Sequence, residues 1–199
     1  PPVPNAPSQP PPTAAHDGRR GVPPVPPDLF RPLAAALPTG VCVVTSLGIS
    51  GAPAGMTSGA VCSLSCEPPL MLVCMGKESH TLAAVLVHGA FCVNVLAADA
   101  TALSRRFSRQ GPDKFAGVAW RPAHNGTPVL TEGTVAYVSC ELLRTVDGGD
   151  HTVAIGLVVE GDHRPAAAPL LYHRRRYAGF PPEPEEPLSA PDQPDPPGP

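Results

Sequence analysis

One segment of small residues, at positions 55–63, could lie against a flat ring. It combines Gly55 and Gly59 with small polar side chains such as Thr57, and strand-like sequence flanks it. Small residues let a ring approach the backbone closely, and exposed backbone amides could then bond to the ring edge. An ordinary twisted strand with a glycine bulge would show the same local sequence, so both interpretations stay open at this point.

A second segment, residues 76–81, could bind a phosphate group. It lies between a predicted strand and a predicted helix, where the unpaired amide groups of the helix start attract anions. Lys77, Ser79 and Thr81 could add side-chain contacts, whereas the carboxylate of Glu78 would oppose a phosphate. The simpler interpretation is that Ser79 only caps the helix.

Two isolated polar residues and one basic run complete the candidates. Asn94 stands alone in an apolar strand, and its amide must be satisfied by neighbouring backbone or, more rarely, by a ligand. His151 follows a predicted turn, where it could be solvated, contact a substrate ring or titrate near neutral pH. The run of Arg174, Arg175 and Arg176 is typical of a solvated face, and no role is assigned to it.

The common enzyme motifs do not occur in this sequence. It contains no Gly-x-Gly-x-x-Gly opening a helix, no Walker loop, no Gly-x-Ser-x-Gly elbow and no His-Glu-x-x-His. A dinucleotide domain of the Rossmann type is therefore not expected. Cys62 and Cys66 are four residues apart, but no matching Cys or His pair follows at zinc spacing, so no metal site is expected.

Proline divides the 199 residues into a core and two tails. Of the 30 prolines, eleven lie in residues 1–27 and nine in residues 181–199. These tails lack the apolar periodicity of a packed element, so we expect them to be disordered, with partner binding by the N-terminal tail as the alternative. Residues 28–180 remain as a single domain that is long enough to bury a hydrophobic core.

Charge and hydropathy exclude further classes of function. The formal net charge is −3, and the acidic C-terminal tail accounts for it, which leaves +1 for residues 28–180. A near-neutral core favours no nucleic-acid partner. No apolar run has the length of a membrane span, and the start is unlike a secretory signal, so a cytoplasmic protein is expected. Four cysteines inside apolar runs are expected to be buried, reduced thiols: Cys42, Cys74, Cys92 and Cys140.

The periodicity predicts a mainly β fold with three peripheral helices. Helices are predicted at 28–37, 79–88 and from Asp99 to Phe107, with Asp28, Ser79 and Asp99 as their caps. Strands are predicted at 41–45, 54–58, 70–75, 91–96, 134–143, 152–159 and 170–172. Leu29, Phe30, Leu33 and Leu37 would form the apolar stripe of the first helix, Leu82, Val85 and Leu86 that of the second, and strand 70–75 would be buried on both faces. Because short turns join the strands more often than helices do, a barrel fits better than a doubly wound parallel sheet.

Six short motifs follow one another along the core. They are Pro38-Thr39-Gly40-Val41-x-Val43-Val44-Thr45, Gly55-Met56-Thr57, Ser65-x-Glu67-Pro68-Pro69-Leu70, Phe91-x-Val93-Asn94-Val95-Leu96, Arg106-Phe107 and Gly149-Asp150-His151. Each motif is weak alone, but their order and spacing resemble the flavin reductase family, from about Phe30 to Tyr177. These proteins are short-chain NAD(P)H:flavin oxidoreductases that supply reduced flavin to two-component monooxygenases.

The resemblance implies a split β-barrel of Greek-key type, usually a homodimer with the flavin near the subunit interface. It implies that Thr57, Ser58, Gly59, Ala60, Cys62 and Ser63 line the isoalloxazine and ribityl chain, and that Lys77, Ser79 and Thr81 hold the phosphate or pyrophosphate. By the same resemblance Asn94 bonds near the flavin, Phe107 packs by its nucleotide end, and His151 and Tyr172 border the nicotinamide. Family members often have other residues at Gly59, Ala60, Glu78 and His80, which leaves the choice of FMN or FAD open.

The implied reaction is hydride transfer from the nicotinamide C4 to the flavin N5. His151 is the candidate for orienting the nicotinamide, and NADH is preferred because no arginine cluster can be assigned to a 2′-phosphate. The expected recipient is a flavin-dependent monooxygenase, with secondary metabolism such as antibiotic biosynthesis as the suggested setting. The alternatives are a split-barrel protein whose tightly bound flavin oxidises a small molecule, a non-enzymatic flavin or haem carrier, and an interaction protein that uses its proline-rich tails.

Overall fold

The computed structural model describes residues 23–111 and 113–180. The predicted tails at 1–27 and 181–199 therefore lie outside the described residues, except for positions 23–27. In chain order the elements are α1 (Pro27–Ala35), β1 (Thr39–Gly40), β2 (Cys42–Leu47), β3 (Pro53–Ser58), β4 (Val61–Cys66), β5 (Pro69–Gly76), α2 (His80–His88), β6 (Ala90–Leu96), α3 (Thr101–Phe107), a 3₁₀ turn (Asp113–Phe115), β7 (Trp120–Pro122), β8 (Pro128–Leu130), β9 (Thr134–Gly148), β10 (His151–His163), β11 (Leu170–His173) and β12 (Arg176–Gly179).

A seven-stranded antiparallel sheet forms the body of the protein, in the order β3-β2-β6-β9-β10-β5-β4. Its two edges, β3 and β4, are consecutive in the chain and are joined by only Gly59 and Ala60. The sheet must therefore curl until its edges meet, which confirms the predicted barrel with peripheral helices. A three-stranded sheet, β1-β11-β12, and the hairpin β7-β8 pack beside it.

The main core lies inside the curled sheet. Val44, Phe91, Val93 and Met75 are fully buried there. A Cβ atom at Gly156 would lie 2.7 Å from both Cys140 and Phe91, so β10 can cross Phe91 closely only because this residue is glycine. The register between β9 and β10 shifts at Ile155/Gly156 and at Val158/Glu160, and such bulges add curvature to the long hairpin.

Helix α2 follows its sequence prediction. The Ser79 hydroxyl oxygen accepts hydrogen bonds from the amides of Thr81 and Leu82, at 3.2 and 3.4 Å, so Ser79 is the cap. Gly89 ends the helix with φ of 75°, a conformation that favours glycine. Val85 is buried as expected, and so is Leu82.

Three predictions about packing were wrong. Leu86 of α2 is 52% exposed, because the buried face of the helix consists of Thr81, Leu82, Ala84 and Val85. Helix α3 follows Ala100 without a side-chain cap, so Asp99 does not cap it. Strand β5 has its fully buried residues on one face, where Val73 and Met75 enter the core, while the alternate residues are partly exposed.

Helix α1 shows the largest departure from the prediction. None of its residues is buried, and its apolar stripe, Leu29, Phe30, Leu33 and the following Leu37, is between 50% and 68% exposed. Asp28 does not cap the helix, because it lies inside it and pairs with Arg31 at 2.8 Å. The stripe was predicted correctly as a pattern, but no element within residues 23–111 and 113–180 buries it.

Five strands were missed, namely β1, β4, β7, β8 and β12. Most are two to four residues long, so an alternating pattern cannot develop in them. Cys42, Cys92 and Cys140 are buried, as their apolar surroundings predicted, whereas Cys74 is only half-buried. No helix within residues 23–111 and 113–180 combines the length and apolar character that crossing a membrane requires.

Candidate functional site

A groove of about 1050 Å³ opens between β3, the start of α2 and the segment that follows α3. This volume is sufficient for a ligand of nucleotide size. Apolar side chains, among them Ile49, Pro53 and Val87, line part of its wall. Polar and charged side chains line it too, among them Arg109, Lys114 and His151.

Strand β3 forms one wall of the groove. A Cβ atom at Gly55 would lie 2.8 Å from the Phe107 ring, so glycine lets this ring pack directly on the strand. The hydroxyl of Thr57 donates a hydrogen bond to the Ser104 carbonyl oxygen at 2.7 Å. Since that bond uses its only proton, the Thr57 hydroxyl can offer a ligand an acceptor but not a donor.

The start of α2 forms another part of the wall, where Ser79 and Thr81, two of the predicted phosphate ligands, line the groove. The Ser79 hydroxyl already binds two of the amides that were expected to receive a phosphate. Lys77 does not line the groove. Its ammonium lies 2.7 Å from the Asp147 carboxylate, and this hydrogen bond lowers the pKa of Asp147.

Lys114 is a polar residue of the groove that the sequence did not reveal, and Arg109 is another. Its Nζ donates to the carbonyl oxygens of Gly55, at 3.0 Å, and Phe107, at 3.2 Å. Partial burial lowers the pKa of Lys114. An ammonium has three N–H donors, so one is left for a ligand anion. Lys114 lies in a 3₁₀ turn, which leaves no periodic pattern in the sequence. Its one sequence signal is that it stands next to Phe115. The Phe115 ring packs against that of Phe107, with the ring centroids 5.0 Å apart.

His151 lines the groove at the start of β10, where it pairs in register with Gly76 at the end of β5. Its Nδ1 lies 2.7 Å from a carboxylate oxygen of Asp150. This contact lowers the pKa of Asp150. It also engages the Nδ1 atom of the imidazole in a hydrogen bond within the protein. The other nitrogen, Nε2, is left to contact a ligand.

The expectation that Asn94 bonds to a flavin is not supported by its position. Asn94 is fully buried, and its Nδ2 donates to the carbonyl oxygen of Val43 at 3.1 Å and to Thr45 Oγ1 at 3.2 Å. Its Oδ1 accepts a hydrogen bond from the amide of Leu130 at 2.8 Å. The side chain therefore holds β2, β6 and β8 together, which is the backbone alternative left open by the sequence.

The groove thus gathers five of the thirteen predicted site residues, namely Thr57, Ser79, Thr81, Phe107 and His151. Ser58, the last residue of β3, is buried, and its hydroxyl oxygen accepts a hydrogen bond from the Ala60 amide. Gly59 and Ala60 are exposed on the turn that follows, and Cys62 and Ser63 are exposed on the edge strand β4. Tyr172 on β11 packs against Tyr177 on β12, with the ring centroids 5.1 Å apart. A flavin-binding role for these residues stays a prediction.

Comparison with known proteins identifies the family. The family model described as flavin reductase like domain matches residues 34–181. A flavin reductase (NADH) from Kitasatospora aureofaciens is 46% identical over 165 residues, which are 82% of this chain and 86% of that protein. The reductase subunit HsaB of a flavin-dependent monooxygenase from Rhodococcus jostii is 39% identical over 175 residues, 88% of each chain.

The fold comparison agrees with these matches. A Streptomyces globisporus NADH:FAD oxidoreductase, solved in complex with NAD and FAD fragments, superimposes with a TM-score of 0.75 at 33% identity. The match covers 82% of this chain and 100% of that one. The curled sheet described above is thus the split barrel that the six motifs implied. The chain belongs to the flavin reductase family.

Proposed function

We propose that this chain is an NADH:flavin oxidoreductase that reduces FAD or FMN and supplies free reduced flavin to a partner monooxygenase. One observation carries the proposal: a single groove brings a fixed cation, an apolar wall and a histidine together on this fold. Lys114 would bind an anionic group, Phe107 and Phe115 provide apolar surface, and His151 offers a ring nitrogen. The sequence relatives that are flavin reductases by name support the same conclusion.

The groove fits a flavin nucleotide in size and in the chemistry of its donors. Its volume exceeds what one mononucleotide needs, and Lys114 and Arg109 contribute positive charge to its lining. A carboxylate, that of Glu78, also lines the groove, so the anionic part of the ligand would be placed toward Lys114 rather than toward α2. When bound, the flavin supplies the redox chemistry by accepting a hydride from NADH.

The protein's own contribution is alignment and exclusion of water. The Thr57 hydroxyl would accept a hydrogen bond from a ligand N–H or O–H. Lys114 would hold a negative charge with its third N–H while the other two fix it to the wall. His151, held by Asp150, would orient the nicotinamide. No protein acid is required, because hydride transfer leaves NAD⁺ and an anionic reduced flavin that can dissociate.

Absorbance at the nicotinamide band tests this proposal with purified protein, NADH, and FMN or FAD added in turn. The expected result is loss of NADH that depends on added flavin and is faster with one of the two. No loss with either flavin, in protein shown to be folded, would contradict the proposal and favour a carrier. Protein that purifies yellow with a flavin that does not exchange would instead favour an oxidase with tightly bound flavin.

We also infer that the active form is a homodimer. The apolar stripe of α1 is more than half exposed at Phe30, Leu33 and Leu37, and a contiguous exposed stripe of this kind is typical of an interface. Leu64 adds a further exposed apolar side chain on the sheet edge β4. Light scattering coupled to gel filtration should therefore give twice the chain mass of 20.5 kDa. Replacement of Phe30 and Leu33 by serine should shift the mass toward the monomer, and a wild-type monomer would contradict the inference.

The monooxygenase partner is supported by the Rhodococcus relative, which is the reductase subunit of a flavin-dependent monooxygenase. Secondary metabolism as the setting, a cytoplasmic location, and the division into residues 1–27, 28–180 and 181–199 stay predictions.

A further inference from the structure

The turn between β11 and β12 holds two arginines in a conformation that favours glycine. The register pairs His173 with Arg176, so Arg174 and Arg175 alone make the turn. Their φ values are 47° and 63°, and within the described part of the chain they are the two non-glycine residues with positive φ. Turns of this geometry usually contain Asn or Gly, because a Cβ atom is strained there. Arginine at both positions therefore adds backbone strain to this turn.

These arginines form part of an exposed cationic surface. Arg174, Arg175 and Arg176 are all exposed, and within residues 23–111 and 113–180 none lies within 4.0 Å of a carboxylate. Arg105 on α3 is also exposed, and no carboxylate of the described residues lies within 4.0 Å of it. Its guanidinium carbon lies 6.0 Å from the Tyr177 ring centroid. Counting only partners among the described residues, these four guanidinium groups have no carboxylate within 4.0 Å.

An aromatic pair lies next to these charges. Tyr172 on β11 and Tyr177 on β12 are cross-strand partners with ring centroids 5.1 Å apart. Tyr172 is 38% exposed, and the Tyr177 hydroxyl is bonded to Ser104 on α3, which fixes the pair. A fixed, partly exposed aromatic surface is the kind that binds proline-rich segments. The surface formed by Arg105, Tyr172, Tyr177 and the three turn arginines is called the arginine–tyrosine surface below.

The chain carries a segment with the complementary chemistry. Residues 181–199 contain nine prolines, five acidic residues and no lysine or arginine. Pro181, Pro184 and Pro187 recur every three residues, and so do Glu183 and Glu186. A polyproline II helix has three residues per turn, so the prolines would line one edge and the glutamates another.

We propose that residues 181–195 dock on the arginine–tyrosine surface, with prolines against the tyrosine rings and carboxylates on the arginines. The segment begins next to Phe180, whose amide bonds to the Pro169 carbonyl oxygen. Strand β12 is four residues long, or roughly 14 Å, and a seven-residue polyproline II stretch spans about 22 Å. Residues 181–187 are therefore long enough to return along β12 to the turn.

Docking would bring the acidic side chains of the C-terminal segment next to the arginines of this surface, so that their charges offset each other. The segment would cover cations that otherwise remain free to bind another polyanion, and tethering keeps its local concentration high. Because the pairs are at the surface, added salt would release the segment.

The experiment uses the full chain and follows the backbone amide signals of residues 172–177 by NMR. The test variant carries Glu183→Gln, Glu185→Gln, Glu186→Gln, Asp192→Asn and Asp195→Asn. The expected result is that these signals shift in the variant, and that a synthetic peptide of residues 181–199, added in trans, moves them back. Raising the salt concentration from about 0.02 M to about 0.3 M should lower the affinity of the peptide for the protein by roughly tenfold. Identical signals in wild type and variant, or an equal effect of a peptide with the acids neutralised, would overturn the proposal.

Arg175→Gly provides a second variant that does not depend on the tail. Glycine suits the positive φ, so the fold and the thermal midpoint should be kept or improved. In the background of the neutralised tail, this variant should bind the peptide about two- to fivefold more weakly. Arg144→Gln, an exposed arginine on β9, is the matched control and should leave peptide binding unchanged. Equal peptide affinity for Arg175→Gly and the control would also overturn the proposal.

Discussion

The Thr57 hydroxyl donates a 2.7 Å hydrogen bond to the carbonyl oxygen of Ser104, which joins β3 to α3 at the wall of the groove. Ser104 is fully buried, and its own hydroxyl lies 3.0 Å from that of Tyr177. The proton of Thr57 is therefore committed to the protein. A ligand that contacts this hydroxyl must supply the donor itself, as the ring N–H or a ribityl hydroxyl of a flavin would.

Thr57→Val removes this acceptor and keeps the shape of the side chain. We expect the KM for flavin to rise about five- to tenfold, because a single neutral hydrogen bond contributes roughly 1 kcal/mol. Steady-state NADH oxidation at varied flavin concentration measures this change. Thr57→Ser keeps the hydroxyl and should stay within about twofold of the wild type. If valine is as good as serine, Thr57 is only a wall residue.

The sequence was most informative where local chemistry determines the structure. The cap of α2 at Ser79 and its stop at Gly89 depend on single residues at fixed positions, so both were predicted correctly. The buried strand β6 was equally clear, because its apolar run is continuous. His151 and Thr57 could be named as site residues because the motifs around them carry the resemblance to the family, and both line the groove.

The sequence was least informative where distant segments meet. Lys114 joins the groove through the carbonyl oxygens of Gly55 and Phe107, and no pattern along the chain records such contacts. The stripe of α1 was visible, but whether the chain covers it depends on tertiary packing. Asn94 shows the same limit, because an isolated amide in an apolar strand has the same sequence whether it binds a ligand or the backbone.

Lys114→Met tests the cation of the groove. We expect the KM for flavin to rise at least tenfold, because a hydrogen bond to a charged group contributes about 1.5–3 kcal/mol. Arg144→Gln removes an exposed charge outside the groove and should leave the KM unchanged. An equal, small effect of both substitutions would show that only the net charge of the protein matters.

The pH dependence of flavin binding provides a second test of Lys114. Burial lowers its pKa below the ordinary 10.5. A lysine is charged below its pKa, so flavin affinity should be constant at neutral pH and fall as the pH rises through this lowered value. Fluorescence titration of the flavin, in wild type and in Lys114→Met, measures the fall, which the variant should not show. The same alkaline fall in both proteins would assign it to another group.

Asn94→Ala should act on stability rather than on flavin binding. It leaves the Val43 carbonyl oxygen and the Leu130 amide without their buried partner and opens a small cavity, at a cost of about 2–4 kcal/mol. The thermal midpoint should fall by roughly 5–15 °C. At a temperature where the variant is folded, the KM for flavin should change less than about twofold. A large rise in KM at an unchanged midpoint would restore the role that the sequence suggested.

Glu160 should make the protein sensitive to acid. The amide of His124 donates to its carboxylate at 2.6 Å, and Tyr137 donates at 2.9 Å. These bonds, the amide first, lower the pKa of Glu160 below its ordinary 4.5. A carboxylate with a lowered folded pKa stabilises the protein above the unfolded value and loses this contribution as the pH falls. Glu160→Gln should therefore lower the thermal midpoint at pH 7 and have a smaller effect at acidic pH. Glu132→Gln, an exposed control, should show neither effect, and a pH-independent loss would point to packing alone.

His151→Ala should separate nicotinamide binding from flavin binding. Its Nδ1 is held at 2.7 Å by Asp150, so Nε2 can act as a fixed contact for the nicotinamide. We expect the KM for NADH to rise at least fivefold more than the KM for flavin, a difference of about 1 kcal/mol. Asp150→Asn keeps the imidazole but weakens its orientation, and because this carboxylate is 93% exposed the rise should be only about two- to threefold. Equal increases in the two KM values for His151→Ala would mean that the histidine supports the groove as a whole and does not select the nicotinamide.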